Sequence, residues 1–188
     1  MRVISFDVGI KNMALLDGVY EHGKLTISAW KVINLSCDLH NNQVDMKDTV
    51  SISKCLISHL SEMFDNSNDI ATVIVENQPA LKNPTMKSLQ VTIYTYFLCK
   101  HKDVEIKLMS PLLKVKPTKW VSKGDINVLT ESINSSSPYQ KRKKLSTKMA
   151  HFYLDKYGQE YMSLFLQHSK KDDMSDTLLM TLVYCDAL

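Results

Sequence analysis

Apolar residues recur along this chain in two rhythms, and the switches between them mark out its elements. Residues 2–8 are rich in β-branched and aromatic side chains and predict a buried first strand. Asp17-Gly18 and His22-Gly23 read as turns punctuating two further segments, roughly 12–20 and 24–34, and the three together predict an antiparallel meander. Over 47–64 the spacing of Val50, Ile52, Leu56, Ile57, Leu60 and Phe64 becomes helical. The run Ala71-Thr72-Val73-Ile74-Val75-Glu76 returns to strand. Pro84, suited to a first helical turn, opens a second helix through Leu89, Ile93, Tyr96 and Phe97. Residues 104–109 predict a short strand ended by Ser110-Pro111. Residues 111–137, with Pro117, Gly124 and Ser135-Ser136-Ser137, predict the least regular part of the chain. Helices over 139–156 and 174–187 complete the pattern.

Three strands followed by helix–strand alternation predict a mixed α/β fold. Strands joined through helices run parallel to the first, so the predicted sheet is five-stranded, with three antiparallel strands and then parallel ones. Asp7 and Glu76, at the carboxyl ends of their strands, then share the rim where open α/β sheets bind ligands. At 188 residues the chain is read as one domain, 1–188.

Composition adds little until charge is resolved along the chain. Residues 100–150 carry twelve Lys or Arg against four Asp or Glu, so this stretch is net +8 and the remainder −5. A basic stretch beside acidic motifs suits an enzyme that acts on a polyanion, and a solvated basic loop is the plainer account. Four scattered cysteines, Cys37, Cys55, Cys99 and Cys185, have neither zinc-ligand nor disulfide-framework spacing and read as thiols. The N-terminus lacks a secretory pattern and no apolar run reaches the ~20 residues of a membrane span, so a cytoplasmic protein is expected.

The candidate chemistry is carboxylate. Desolvating Asp7 after Ile4 and Phe6, or Glu76 after Val73-Ile74-Val75, is costly without a partner. Asp173 and Asp176 stand at i and i+3 and share a helix face. Asp172 or Asp173 as an N-cap, with Asp176 favouring the helix dipole, explains that pair equally well. Taken together, the four carboxylates suit Mg²⁺, which prefers hard oxygen ligands, and a two-metal phosphodiester hydrolysis. Lys141, Arg142, Lys143, Lys144 and Lys148 are candidate DNA-backbone contacts or one solvated helix face. Trp120, Tyr139, Tyr153 and Tyr157 are candidates for base stacking, although the spacing of Tyr153 and Tyr157 favours core packing and Trp120 is the better stacker. His168 reads as polar surface.

Three blocks carry a family resemblance. Ile4-Ser5-Phe6-Asp7-Val8-Gly9-Ile10-Lys11-Asn12, Val73-Ile74-Val75-Glu76-Asn77-Gln78-Pro79 and Lys171-Asp172-Asp173-Met174-Ser175-Asp176-Thr177-Leu178-Leu179 resemble the acidic motifs of RuvC-like Holliday junction resolvases, in the ribonuclease H-like superfamily. The Glu-Asn-Gln and Lys-Asp-Asp-Met-Ser-Asp segments are most similar to the poxvirus resolvases and their fungal mitochondrial relatives. The resemblance implies a homodimeric, ribonuclease H-like endonuclease that makes paired nicks in four-way and branched DNA during replication, recombination or repair. It implies two Mg²⁺ ions, with Mn²⁺ as a substitute, held by Asp7, Glu76, Asp173 and Asp176. It also implies a basic residue near the scissile phosphate, Lys114 or Lys116, and a second basic site within Lys141-Arg142-Lys143-Lys144, with Lys144 a further catalytic candidate. A viral protein of this kind would act in the host cytoplasm, and the 84–99 helix is a candidate dimer face. The rivals are a ribonuclease H-like nuclease of other substrate choice and a non-catalytic junction-binding module. An actin- or sugar-kinase-like ATPase is disfavoured by five glycines and the absence of a duplicated domain.

Overall fold

The run Val3-Ile4-Ser5-Phe6 lies within β1 (Arg2–Asp7), the central strand of a five-stranded sheet. β2 (Met13–Glu21) pairs antiparallel with β1, and β3 (Lys24–Ile33) antiparallel with β2. On the other side, β4 (Ile70–Glu76) pairs parallel with β1, and β5 (Glu105–Met109) parallel with β4. The order is β3-β2-β1-β4-β5, the mixed sheet expected from sequence. This computed structural model describes residues 1–135 and 137–188; Ser136, within the serine run of the predicted irregular stretch, lies outside the described residues. The chain divides into two units, Met1–Met109 and Ser110–Leu188.

In the first unit, His22 and Gly23 both have positive φ (49° and 81°) and join β2 to β3 in a two-residue turn. Asp17-Gly18 is not a turn. It lies inside β2, where the pairing with β3 slips by a residue. A Cβ at Gly18 would come within 2.9 Å of the Thr26 carbonyl oxygen, so the close approach of β3 explains the glycine. Asp17 is only 6% exposed and accepts from Arg2 Nε and Nη2 at 2.9 and 2.7 Å.

α1 (Thr49–Phe64) starts where the Asp48 carboxylate accepts the Val50 and Ser51 N–H groups; α2 (Pro84–Lys100) is capped by Asn83, which accepts from Met86 N–H. Their apolar stripes pack on the sheet face bearing Ile4, Phe6, Val73 and Val75. The Phe97 ring centroid lies 5.9 Å from that of Phe6 and 5.3 Å from that of Phe64. Leu89, Ile93, Tyr96 and Phe97 of α2 are core residues, while Val91 and Leu98 are exposed.

The second unit is helical: α3 (Lys123–Glu131), α4 (Pro138–Tyr157), α5 (Gln159–Gln167) and α6 (Lys171–Asp186), with α4 packed against the other three. α3 falls inside the stretch expected to be irregular. Its signal was polar, a capping box in which Ser122 and Asp125 satisfy each other's backbone N–H groups. α5 was not expected; it follows Gly158, and within it only Phe165 is buried. α6 begins three residues earlier than expected, so Asp172 and Asp173 lie inside its first turn and neither is the N-cap; that position is Lys170.

Among the described residues no helix is long and apolar enough to cross a membrane. All four cysteines are free thiols, with Cys55 and Cys185 buried.

Candidate functional site

β1 and β4 run parallel with Phe6 opposite Val75, so Asp7 and Glu76 are the next residues along and reach the same rim. Ile4, Phe6, Val73 and Val75 face α1 and α2, and the two-residue period of a strand therefore sends Asp7 and Glu76 to the opposite face. Their carboxylates approach with an oxygen of each within 4.8 Å of the other, and Glu76 is only 8% exposed. Two carboxylates held this close on rigid strands offer an oxygen each to one divalent cation. Two hard oxygen donors at one rim fit Mg²⁺ or Mn²⁺. Beyond Asp7 the chain turns tightly, since a Cβ at Gly9 would lie 2.7 Å from the Asn12 carbonyl oxygen.

The segment after Glu76 is tied down from α2. Asn77 N–H donates to the Met109 carbonyl at 2.8 Å, prolonging the ladder to β5 by one bond. At Gln78 the sheet ends, and its N–H donates instead to the Gln90 side-chain oxygen at 2.8 Å. Lys87 Nζ donates to that same oxygen and to Asn77 Oδ1, both at 3.2 Å. Gln90 is fully buried beside Leu89. Neither Lys87 nor Gln90 was singled out from sequence. The available signal was an amide on the core-facing stripe of an apolar helix, where a polar side chain needs a partner.

In the second unit, the first two turns of α6 carry Asp172, Asp173 and Asp176. Burial and the charge of Asp172 push the Asp173 carboxyl up to about 6. Burial also opposes ionisation of Asp172, yet the Lys143 ammonium bound to it holds its carboxyl below the usual range. Lys114 is buried, with Nζ donating to Asp176 Oδ2 at 2.6 Å, whereas Lys116 is exposed. Of the basic run, Lys144 Nζ donates to the Asn134 carbonyl at 3.1 Å and Lys148 Nζ to Ser132 Oγ at 2.6 Å, while Lys141 and Arg142 are exposed. Lys143, Lys144 and Lys148 line a groove of about 570 Å³ with Asn134 and Thr147.

The aromatic candidates separate by burial. Trp120, the preferred stacker, is 8% exposed and packs edge-on against Tyr153 at 6.1 Å, so it is a core residue here. Its place in a loop suggested access, but apolar area outweighs loop position. Tyr153 is buried as its helical spacing implied. Tyr157, expected in the core by the same spacing, is exposed at the last residue of α4, and Tyr139 is exposed. His168 Nδ1 accepts the Lys170 N–H at 3.0 Å, a local contact ahead of α6.

The fold is shared with solved proteins. Aligned over 100% of this chain and 98% of the other, it superposes on the fowlpox virus resolvase, solved with its Holliday junction DNA, at a TM-score of 0.65 and 17% identity. The yeast mitochondrial Holliday junction resolvase Ydc2 superposes at a TM-score of 0.66 and 18% identity, over 98% of this chain and 79% of that one. The fold is therefore the ribonuclease H-like fold of the RuvC-like resolvases. An uncharacterised protein of Acanthamoeba polyphaga mimivirus is 33% identical over 124 residues, 62% of this chain and 29% of that protein. The chain thus spans under a third of the length of that relative. No protein-family model matches the chain.

Proposed function

We propose that this protein is a Holliday junction resolvase, a metal-dependent endonuclease that cuts four-way and branched DNA with paired, symmetric nicks. The observation that carries the reading is the Asp7–Glu76 carboxylate pair at the rim of a sheet whose fold is shared with the fowlpox virus and yeast mitochondrial resolvases. In this reading Asp173 and Asp176 complete the ligand set for two Mg²⁺ ions, with Mn²⁺ as a substitute. When bound, the ions supply a nucleophile at neutral pH and offset charge on the transferring phosphoryl group.

The chain's own residues have distinct tasks. Asp7 and Glu76 sit on strands, which fixes their separation and orients the phosphate along the rim. Lys114 is the preferred basic residue of the Lys114/Lys116 pair, because it is buried and already bonded to Asp176. Its ammonium stabilises negative charge developing on a phosphate oxygen and orients Asp176. Lys141, Arg142, Lys143, Lys144 and Lys148 follow the DNA backbone and set its register without reading sequence. A four-way junction is close to two-fold symmetric, so a homodimer places one site on each of two opposed strands. The role is resolution of replication or recombination intermediates in a host cytoplasm.

The test is cleavage of a labelled immobile junction and a matched linear duplex, with Mg²⁺ and with EDTA. The expected result is paired nicks in the junction alone, lost in EDTA, and a fall of at least 10²-fold in kcat for Glu76→Gln with junction affinity retained. Junction binding without cleavage under any divalent metal identifies a binding module instead. Metal-dependent cutting of RNA–DNA hybrid in preference to the junction identifies a nuclease of other specificity.

A further inference from the structure

The ammonium of Lys87 is placed where a structural lysine gains little. Lys87 is the fourth residue of α2, at the end of the helix whose dipole disfavours cations. Its Nζ is oriented by Asn77 Oδ1 and Gln90 Oε1, both uncharged amide oxygens. Among the described residues no carboxylate shares it. Nor does the local sequence offer one, because no Asp or Glu occurs between Glu76 and Asp103. The side chain is half-buried, so it pays an ordering cost, yet its hydrogen-bond partners carry no charge. Gln90 adds to the point. It is fully buried and committed through its oxygen to Lys87 and to the Gln78 N–H, while its Nε2 has no acceptor among the described residues. A buried amide left half-satisfied is costly unless what it orients matters.

We propose that Lys87 is a DNA-phosphate contact, pre-oriented by Asn77 and Gln90 beside the Glu76 strand end. This rests on the reading of the protein as a DNA nuclease. Asn77 follows Glu76 directly, so the cation is fixed to the same strand end as the carboxylate. Its separate place on the α2 side suits a phosphate neighbouring the one cleaved. Lys87 then positions the strand by its backbone, without contacting the reacting atoms, and carries no sequence preference.

The test is the salt dependence of DNA binding for wild type, Lys87→Met and Lys87→Arg, in EDTA, on an immobile junction and on matched duplex. Loss of one phosphate contact lowers the slope of log K against log salt by about 0.9. The expected result is that reduction for Lys87→Met on both DNAs, with the wild-type slope kept by Lys87→Arg. Exchange of the Gln78 amide hydrogen in the free proteins should be unchanged by Lys87→Met. An unchanged slope overturns the proposal, and faster Gln78 exchange with it would assign Lys87 to fixing the loop. Equal wild-type affinity for junction and duplex counts against the resolvase reading alone, because the slopes still test Lys87. Failure of wild type to bind either DNA overturns both.

Discussion

Asp173 is the residue whose titration is most informative. Burial and the neighbouring Asp172 raise its carboxyl to about 6, against about 3.9 in an unfolded chain. The folded state therefore binds the proton more tightly, and stability falls as pH rises from about 4 to about 6. The full shift corresponds to about 3 kcal/mol, and a half-exposed group screened by solvent retains about 1 kcal/mol of it. Asp173→Asn should accordingly raise the melting temperature of metal-free protein at pH 7.5 and leave it unchanged at pH 3.5. Thermal melts in EDTA at both pH values check this; a difference independent of pH would tie the residue to packing. Divalent metal should stabilise wild type more than the variant. At this scale the approach of Asp7 and Glu76 was legible in the sequence because each is an acid ending an apolar strand. The partners of Lys87 and Lys114 were not, since Lys114–Asp176 and Lys87–Asn77 join residues 62 and 10 positions apart.

Elements follow a similar division between local and non-local causes. The strands and the helices α1, α2 and α4 were legible because each carries a sustained apolar period. α3 and α5 bury none and one of their residues respectively, so period alone could not reveal them. The capping box at Ser122 was the available sign for α3, and Ser122→Ala should cost about 1 kcal/mol. Denaturant titration checks that cost, and an unchanged midpoint would show that packing on α4 alone holds the helix. In the first unit the decisive contact is Phe97, whose ring meets Phe6 of β1 and Phe64 of α1. Phe97→Ala should cost about 3–5 kcal/mol. A smaller loss by equilibrium unfolding would mean that the two helices collapse into the vacated space. Asp17-Gly18 shows a different limit. Its composition marks a break in regular pairing, but only the approach of Thr26 and the demand of Arg2 decide that the break is a bulge.

For the whole molecule, the sequence conveyed fold class and charge distribution better than it conveyed assembly. The net +8 of residues 100–150 is legible without coordinates, and Lys114 and Lys143 within it are paired with Asp176 and Asp172. A homodimer, by contrast, has to be measured: light scattering should report twice the mass of one chain, and a monomer that still makes paired nicks would remove symmetry from the proposed mechanism. The sheet itself separates two kinds of demand. Asp7 and Glu76 occupy its carboxyl rim, while Arg2, bonded to buried Asp17 and to Asp69, occupies the opposite end of β1. Five residues of extended chain put these ends about 17 Å apart, beyond the range over which substitutions usually couple. If the proposed nuclease reading holds, durability and turnover have separate addresses on one strand. A lineage under heat can harden the Arg2 end, and one under pressure for speed can alter the Asp7 end, with neither change constraining the other.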